Sequence, residues 1–293
     1  KAERYKRARE FVDVVRALWD SWDADAFPRN KKTGIFSDRS KMHVLDHHGD
    51  YFHVKGPLNV TRSPQGQPVI VQAGASEDGR QLAAETAEVV FTAHHVIETA
   101  REFYSDVKGR MVAYGRDPDS LKILPGLSVY VAPTRAEAQA KLDELQDLLH
   151  PKLAVALLSR RIGFDLTSYP VDEPLPQLPE NVVVSSRADM IIGWSKEGPH
   201  TLGGLAKRFG SSRGHYTLVG TPTEVVDQMQ AWFENGACDG FNVLPPYYNG
   251  GLKDFVDYVV PELQRRGIFR TAYEGTTFRD ILGLPKPQSR YAK

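Results

Sequence analysis

Pro68-Val-Ile-Val-Gln-Ala-Gly-Ala-Ser-Glu-Asp-Gly79 joins an apolar run, a turn of small residues and the polar opening of a helix. The run Pro68–Gly74 carries no charge and ends in glycine, the pattern of a parallel strand covered on both faces. Leu82, Ala83, Ala84 and Ala87 then mark the helix that returns over it. The same rhythm recurs on either side. Val89-Val-Phe-Thr92 reads as a second strand, and its helix sets Val96, Ala100, Phe103, Val107, Met111 and Tyr114 on one face before stopping at Gly115. A third strand covers Lys122 to Val131. Thr134-Arg-Ala-Glu137 follows as a capping box, and the helix behind it offers Leu142, Leu145, Leu148 and Leu149 as its apolar face. A second capping box, Thr221-Pro-Thr-Glu224, has proline at the first helical position and leads into Val225, Val226, Met229, Trp232 and Phe233. Gly240-Phe-Asn-Val-Leu244 is the fourth strand, and the helix after it carries Leu252, Phe255, Val256, Val259, Val260 and Leu263 to a stop at Gly267. Upstream, Phe11, Val14, Val15, Leu18, Trp19 and Trp22 give an amphipathic helix that opens the chain with no strand before it. Four strand–helix units in series predict an α/β fold of parallel βα units with right-handed crossovers.

Between 150 and 216 the rhythm breaks. Pro170, Pro174, Pro176, Pro179 and Pro199, with Gly203 and Gly204, fill a stretch too long for an ordinary connection, which predicts an inserted lid over 151–216 as the least ordered part of the chain. The whole of 1–293 reads as part of one domain.

Composition excludes several classes. With 37 basic and 37 acidic side chains among 293 residues the formal charge is zero, so the basic excess of a nucleic-acid binder is missing. Hydrophobic residues at 41% suffice for a packed core, which excludes disorder as the dominant state. The sequence contains neither an apolar run of membrane-spanning length nor a secretory core, and a cytoplasmic location is expected. The single cysteine, Cys238, supports neither an internal disulfide nor a cysteine zinc site.

Chemistry concentrates in a few places. At Gly74-Ala-Ser76 a strand ends and a helix begins, where backbone amides, the positive helix end and a serine hydroxyl suit an anion such as phosphate. Ser76 reads equally as a plain N-cap. His43, His47, His48 and His53 cluster as metal ligands would, but no carboxylate or cysteine completes a recognised spacing, and a solvated hairpin accounts for them as well. His94-His95 falls just past the second strand, a position that suits either a pocket or a helix cap. Arg213 and His215, in Ser211-Ser-Arg-Gly-His215, face two readings, an anion contact or a surface loop leading through Tyr216–Pro222 into the second capping box. Asn242 interrupts the apolar Phe241-Asn-Val-Leu244, either as a core amide satisfied by backbone or as a group facing a ligand.

In order along the chain, Glu3-Arg-Tyr through Leu18-Trp-Asp-Ser-Trp22, Asp46-His-His-Gly-Asp-Tyr-Phe, Gly56-Pro-Leu-Asn, Pro64–Ser76, Ala237-Cys-Asp-Gly-Phe-Asn242, Pro261-Glu-Leu-Gln-Arg-Arg-Gly267 and Thr276-Thr-Phe-Arg-Asp-Ile-Leu-Gly283 form a series. The series resembles the nitrilotriacetate monooxygenase branch of the bacterial-luciferase-like flavin monooxygenases, a branch that also holds dibenzothiophene-sulfone and long-chain-alkane enzymes. The resemblance implies a TIM barrel with active-site loops at the carboxyl ends of its strands. It makes Gly74, Ala75 and Ser76 the clamp for the phosphate of FMN, with Arg213 a further cofactor contact. Asn242 and His215 become candidates for the catalytic pocket, and no metal is implied. The implied reaction is a two-component one. A separate NAD(P)H:flavin reductase supplies reduced FMN, oxygen reacts with it, and one oxygen atom enters a small organic substrate of the nitrilotriacetate, sulfone or alkane kind. Only the C-terminal βα units of such a barrel can be found here, which needs eight. The expectation is therefore a missing N-terminal segment or a homo-oligomer, and the competing reading is a truncated flavin-binding half-barrel without activity of its own.

Overall fold

A computed structural model describes residues 2–179, 186–197 and 200–292. In chain order the helices are α1 (Ala2–Trp19), α2 (Glu77–Thr86), α3 (Ile97–Met111), α4 (Arg135–Asp147), α5 (Pro151–Ile162), α6 (Ser186–Lys196), α7 (Leu202–Ser212), α8 (Pro222–Glu234), α9 (Gly250–Asp254), α10 (Val260–Arg265) and α11 (Phe278–Leu282). The strands are β1 (His47–His48), β2 (His53–Val54), β3 (Val71–Ala73), β4 (Val89–Thr92), β5 (Lys122–Val131), β6 (Tyr216–Gly220) and β7 (Asn242–Val243). The chain divides into two compact units. Unit 1 comprises Lys1–Thr92, Phe103–Leu124 and Thr271–Lys293, and unit 2 comprises Ala93–Glu102 and Pro125–Arg270.

In unit 1, β3 and β4 pair in parallel, Val71 opposite Val89 and Ala73 opposite Phe91, as the strand–helix–strand pattern requires. The small face of α2, Ala83 and Ala84, packs with Ala87, Phe103, Val107, Met111, Leu121 and Ile123. Small residues on the helix let it sit close to its neighbours, and the larger side chains fill the rest. The histidine-rich stretch forms the antiparallel β1–β2 hairpin, His47 opposite Val54 and His48 opposite His53. Three of its histidines have carboxylate partners: His47 Nε2 meets Glu10 Oε1 at 2.9 Å, His43 Nε2 meets Asp23 Oδ1 at 2.8 Å, and His48 Nε2 lies 3.5 Å from Asp46 Oδ1. The C-terminal tail is stitched to the sheet by Arg279, only 1% exposed. Its guanidinium donates to both carboxylate oxygens of Glu88 at 2.7 Å and to the carbonyls of Gln67, Pro68 and Pro285 at 2.8, 3.1 and 3.1 Å. Every donor of the fork is used.

In unit 2 the long β5 is flanked on both edges. Leu127 lies opposite Tyr216 of β6 and also opposite Val243 of β7, and both pairings are parallel. Leu127, Val129, Val131 and Leu218 pack with Val225, Val226 and Met229 of α8 and with Phe255, Val259 and Leu263. A π-helical turn, Phe255–Val259, joins α9 to α10 just before Pro261, where a proline ring would crowd a regular helix.

Tyr216–Gly220, read as a loop into a capping box, is a strand, so the parallel strands outnumber the four read from the pattern. Within the stretch 151–216, read from the sequence as an inserted lid, α5, α6 and α7 build a core of their own from Val155, Leu158, Ile162, Ile191, Leu205 and Phe209, joined by Leu166. Pro151 starts α5, while Pro170, Pro174, Pro176 and Pro179 fall in the connection after it. The lid reading of residues 180–185, 198 and 199 lies outside the described residues.

Candidate functional site

The turn between β3 and α2 is shaped by its own residues. Ser76 takes extended backbone angles, φ −70° and ψ 160°, and its Oγ accepts from the Gly79 amide at 3.3 Å, the geometry of an N-cap. Ala75 and Ser76 are exposed, and neither backbone N–H donates to another described residue. A second hydroxyl arrives from far upstream: Tyr5 Oη lies 3.1 Å from Ser76 Oγ. Gly79 is what permits this approach, since a Cβ there would stand 2.9 Å from Tyr5 Oη and 3.1 Å from Ser76 Oγ. Gln72 braces the turn by donating its amide to the Gly79 carbonyl at 2.8 Å, and Arg80 Nε donates to the Ala75 carbonyl at 3.0 Å. The acidic residue of the first turn, Glu77, is tied back by Arg110, whose hydrogen bonds hold that carboxyl below its ordinary range. Two open amides, two hydroxyls and a helix N-terminus therefore face one exposed spot, an arrangement that suits an oxyanion.

Arg213, His215 and Asn242 belong to unit 2, where β5 stands between the first two and the third. Arg213 is exposed and closes α7 in the left-handed region, φ 52°, with its amide donating to the Phe209 carbonyl at 2.7 Å. His215 is half-buried and precedes β6. Asn242 is exposed in β7, so it is not the buried core amide. Of the sequence candidates, then, Gly74, Ala75 and Ser76 stand together, as do Arg213 and His215.

The insertion adds a site that no motif announced, a cavity of about 510 Å³ within unit 2. His95, Gln146, Trp194, His200, Arg208 and His215 line it. The paired histidines past β4 thus divide their two readings: His95 enters the cavity wall, while His94 Nδ1 lies 3.4 Å from Thr99 Oγ1 in the first turn of α3. Burial, and then the nearby Arg208 charge, push the His95 pKa below 6.5. Cys238 is 1% exposed, and burial raises its thiol to about 12, which leaves no thiolate for nucleophilic work at neutral pH. Tyr5 was missed by sequence reasoning because 71 positions separate it from Ser76 and no spacing links them.

Comparison with known proteins adds three findings. The family model described as luciferase-like monooxygenase matches residues 1–239. The chain is 51% identical over 293 residues to N-acetyl-S-(2-succino)cysteine monooxygenase of Bacillus subtilis (strain 168), covering 99% of this chain and 66% of that protein. It is 49% identical over 293 residues to nitrilotriacetate monooxygenase component A of Aminobacter aminovorans, covering 99% of this chain and 65% of that one. The chain thus spans about two thirds of the length of these curated relatives. Among solved structures, a riboflavin lyase crystallised with modified FMN and riboflavin aligns with a TM-score of 0.79 at 33% identity, over 97% of this chain and 62% of that one. Its fold is shared.

Proposed function

The chain belongs to the luciferase-like monooxygenase family, and from that premise we propose that it holds the phosphate of FMN in a two-component, flavin-dependent monooxygenase. The observation that carries the reading is the pair of open amides at Ala75 and Ser76 beneath the Ser76 and Tyr5 hydroxyls. A phosphate needs several donors converging on one spot, and this turn offers them without a lysine. Gly74 belongs to the same turn, where a Cβ would meet Tyr5 Oη at 3.4 Å, an ordinary contact.

Reduced flavin, when bound, supplies the reaction with O2 that delivers one oxygen atom to a small organic substrate. This chain's part is to hold and orient. The α2 N-terminus fixes the phosphate end, and Arg213 is a further cofactor contact. Asn242 and His215 are assigned to the pocket where substrate meets flavin; both reach solvent-accessible space at strand termini. The relative named "component A" supports a second protein that supplies reduced flavin. The substrate belongs to the broad range of small organic molecules that relatives' names span.

FMN titration by fluorescence quenching tests the assignment. Ser76→Ala and Tyr5→Phe each remove one hydrogen bond to a charged acceptor, worth ~1.5–3 kcal/mol or about ten- to a hundredfold in Kd. Unchanged affinity in both variants would place the phosphate elsewhere.

A further inference from the structure

The β3–α2 turn is gripped by side chains from α2 and α3, and the grip acts on the peptide that faces the ligand. Arg80, on α2, reaches back with Nε to the Ala75 carbonyl at 3.0 Å. That carbonyl and the Ser76 N–H are the two ends of one planar trans peptide and point opposite ways. Holding the Ala75 oxygen therefore aims the Ser76 N–H away from Arg80, and that N–H donates to no described residue. An arginine side chain is long and rotamer-rich, so such a grip depends on what fixes the guanidinium. NH1 donates to Asp106 Oδ2 of α3 at 2.8 Å, and the guanidinium carbon lies 5.2 Å from the centroid of the Phe103 ring. Phe103 is 1% exposed, so that platform is set in the core. Asp106 is held in turn. Its other oxygen accepts from Arg110 Nε at 2.8 Å, and Arg110 NH2 donates to Glu77 Oε2 at 2.9 Å. Burial would raise the Asp106 carboxyl, but hydrogen bonds from Arg110 and Arg80 outweigh it and hold the group below its ordinary range. Turn and network all lie within unit 1.

We infer that Arg80 is a positioning residue of the phosphate site, fixing the Ser76 amide for its ligand through the Ala75 carbonyl, and that Asp106 of α3 locks Arg80 in that pose. This role rests on the turn being the holder of the FMN phosphate, and it adds how the open amide is kept aimed. Charge separates positioning from simple attraction. Asp106 is an acid close to an anion site, so if charge alone mattered, removing it would help the phosphate bind. Positioning has the opposite sign: without the carboxylate the guanidinium loses its charged anchor, and the Ala75–Ser76 peptide is free to turn. Arg110 keeps its Glu77 partner when Asp106 is neutralised, so the acid of the first helical turn stays covered.

The test titrates the full chain with FMN and, in parallel, with riboflavin, which lacks the phosphate. Arg80→Met is expected to weaken FMN about tenfold, the worth of one hydrogen bond to a charged acceptor. Arg80→Lys is expected to recover only part of that, because an ammonium cannot span Ala75 and Asp106 as the planar fork does. If Arg80→Met lowers the urea midpoint as well, Asp106→Asn decides. It keeps the shape of the side chain, removes a negative charge, and is expected to weaken FMN severalfold nonetheless. Riboflavin affinity is expected to stay unchanged in all three variants, whereas a merely structural role would lower both flavins together. FMN affinity that Asp106→Asn leaves unchanged or tightens overturns the inference, and so does riboflavin affinity that falls in step with FMN. Ser76→Ala and Tyr5→Phe without effect on FMN would remove the phosphate from this turn, and the role of Arg80 with it. Losses in those two variants beside unaltered Arg80 and Asp106 variants would leave the phosphate at the turn and overturn the positioning role alone.

Discussion

At the β3–α2 turn the ligand-facing groups come from consecutive residues, Ala75 and Ser76, with one visitor from Tyr5, whereas the unit 2 cavity gathers side chains spread from position 95 to position 219. Chain geometry alone produces the first: a strand ends, small residues turn, and the first amides of a helix are left without partners. The second exists only when α4, α6, α7 and β6 have packed, because no two of its main groups, His95, Trp194 and Arg208, share an element. A site built from backbone is sensitive to what fastens the backbone, and a site built from side chains is sensitive to the core behind them.

The largest expected effect comes from the fastening of β3. Arg279 and Glu88 form a pair whose side chains are 2% and 14% exposed, and the same guanidinium holds the carbonyls of Gln67 and Pro68 at the strand's entrance. Glu88 also accepts from the Ile70 amide at 2.9 Å. Arg279→Met leaves that carboxylate without its cation and is expected to cost about 3–5 kcal/mol in urea unfolding, with FMN affinity falling alongside. A loss under ~1 kcal/mol would show that the C-terminal tail merely rests on the sheet. On the other side of the comparison, Leu158 is fully buried in the core of the insertion. Leu158→Ala is expected to cost about 2–5 kcal/mol. Were 151–216 a loose flap, the same change would stay within ~0.5 kcal/mol, so this one variant decides between the packed segment and the lid read from its prolines.

The contrast also explains what the sequence made legible. Both capping boxes form as spaced, Thr134 with Glu137 and Thr221 with Glu224, because each needs only its own first turn. The α2 face packs where the periodicity put it, as do Phe103, Val107 and Met111 of α3, whereas Tyr114, past the end of α3, is 37% exposed. The face of α4 does not: Leu148 follows the last helical residue and is 78% exposed, since helical spacing loses its meaning once the helix has stopped. The β6 strand escaped notice because Tyr216-Thr-Leu-Val-Gly is short, bounded by Gly214 and a capping box, and buries only Leu218 and Gly220. In the insertion, Ala154, Val155, Leu158 and Ile162 carry a helical period that the count of prolines overshadowed. Nothing local could connect Tyr5 to Ser76, or Trp194 to Arg208 and His95. Those contacts are properties of the packing.

The smallest effect separates the two regions by acidity. In unit 1, burial alone would raise the Glu10 carboxyl, but hydrogen bonds from His47 and from the amides of Tyr51 and Phe52, at 2.9, 3.0 and 2.8 Å, outweigh it and hold the pKa below 4.5. The unfolded chain therefore takes up this proton first, so the stabilisation is complete above pH 4.5 and drains away as pH falls below it. In unit 2, burial and the Arg208 charge lower the His95 pKa from 6.5. Here too the unfolded chain binds the proton first, but the loss begins as pH falls below 6.5, two units earlier on the scale than an ordinary Glu. Stability should thus decline in two steps on acidification. Urea midpoints measured across the acid range check this: His95→Gln should flatten the upper step and leave the lower, and Glu10→Gln should reduce the lower step only in part, because Glu77, Asp106, Glu224 and Asp280 are also held below their ordinary ranges. An upper step that survives His95→Gln would mean that another group, and not the buried imidazole of the cavity, carries it.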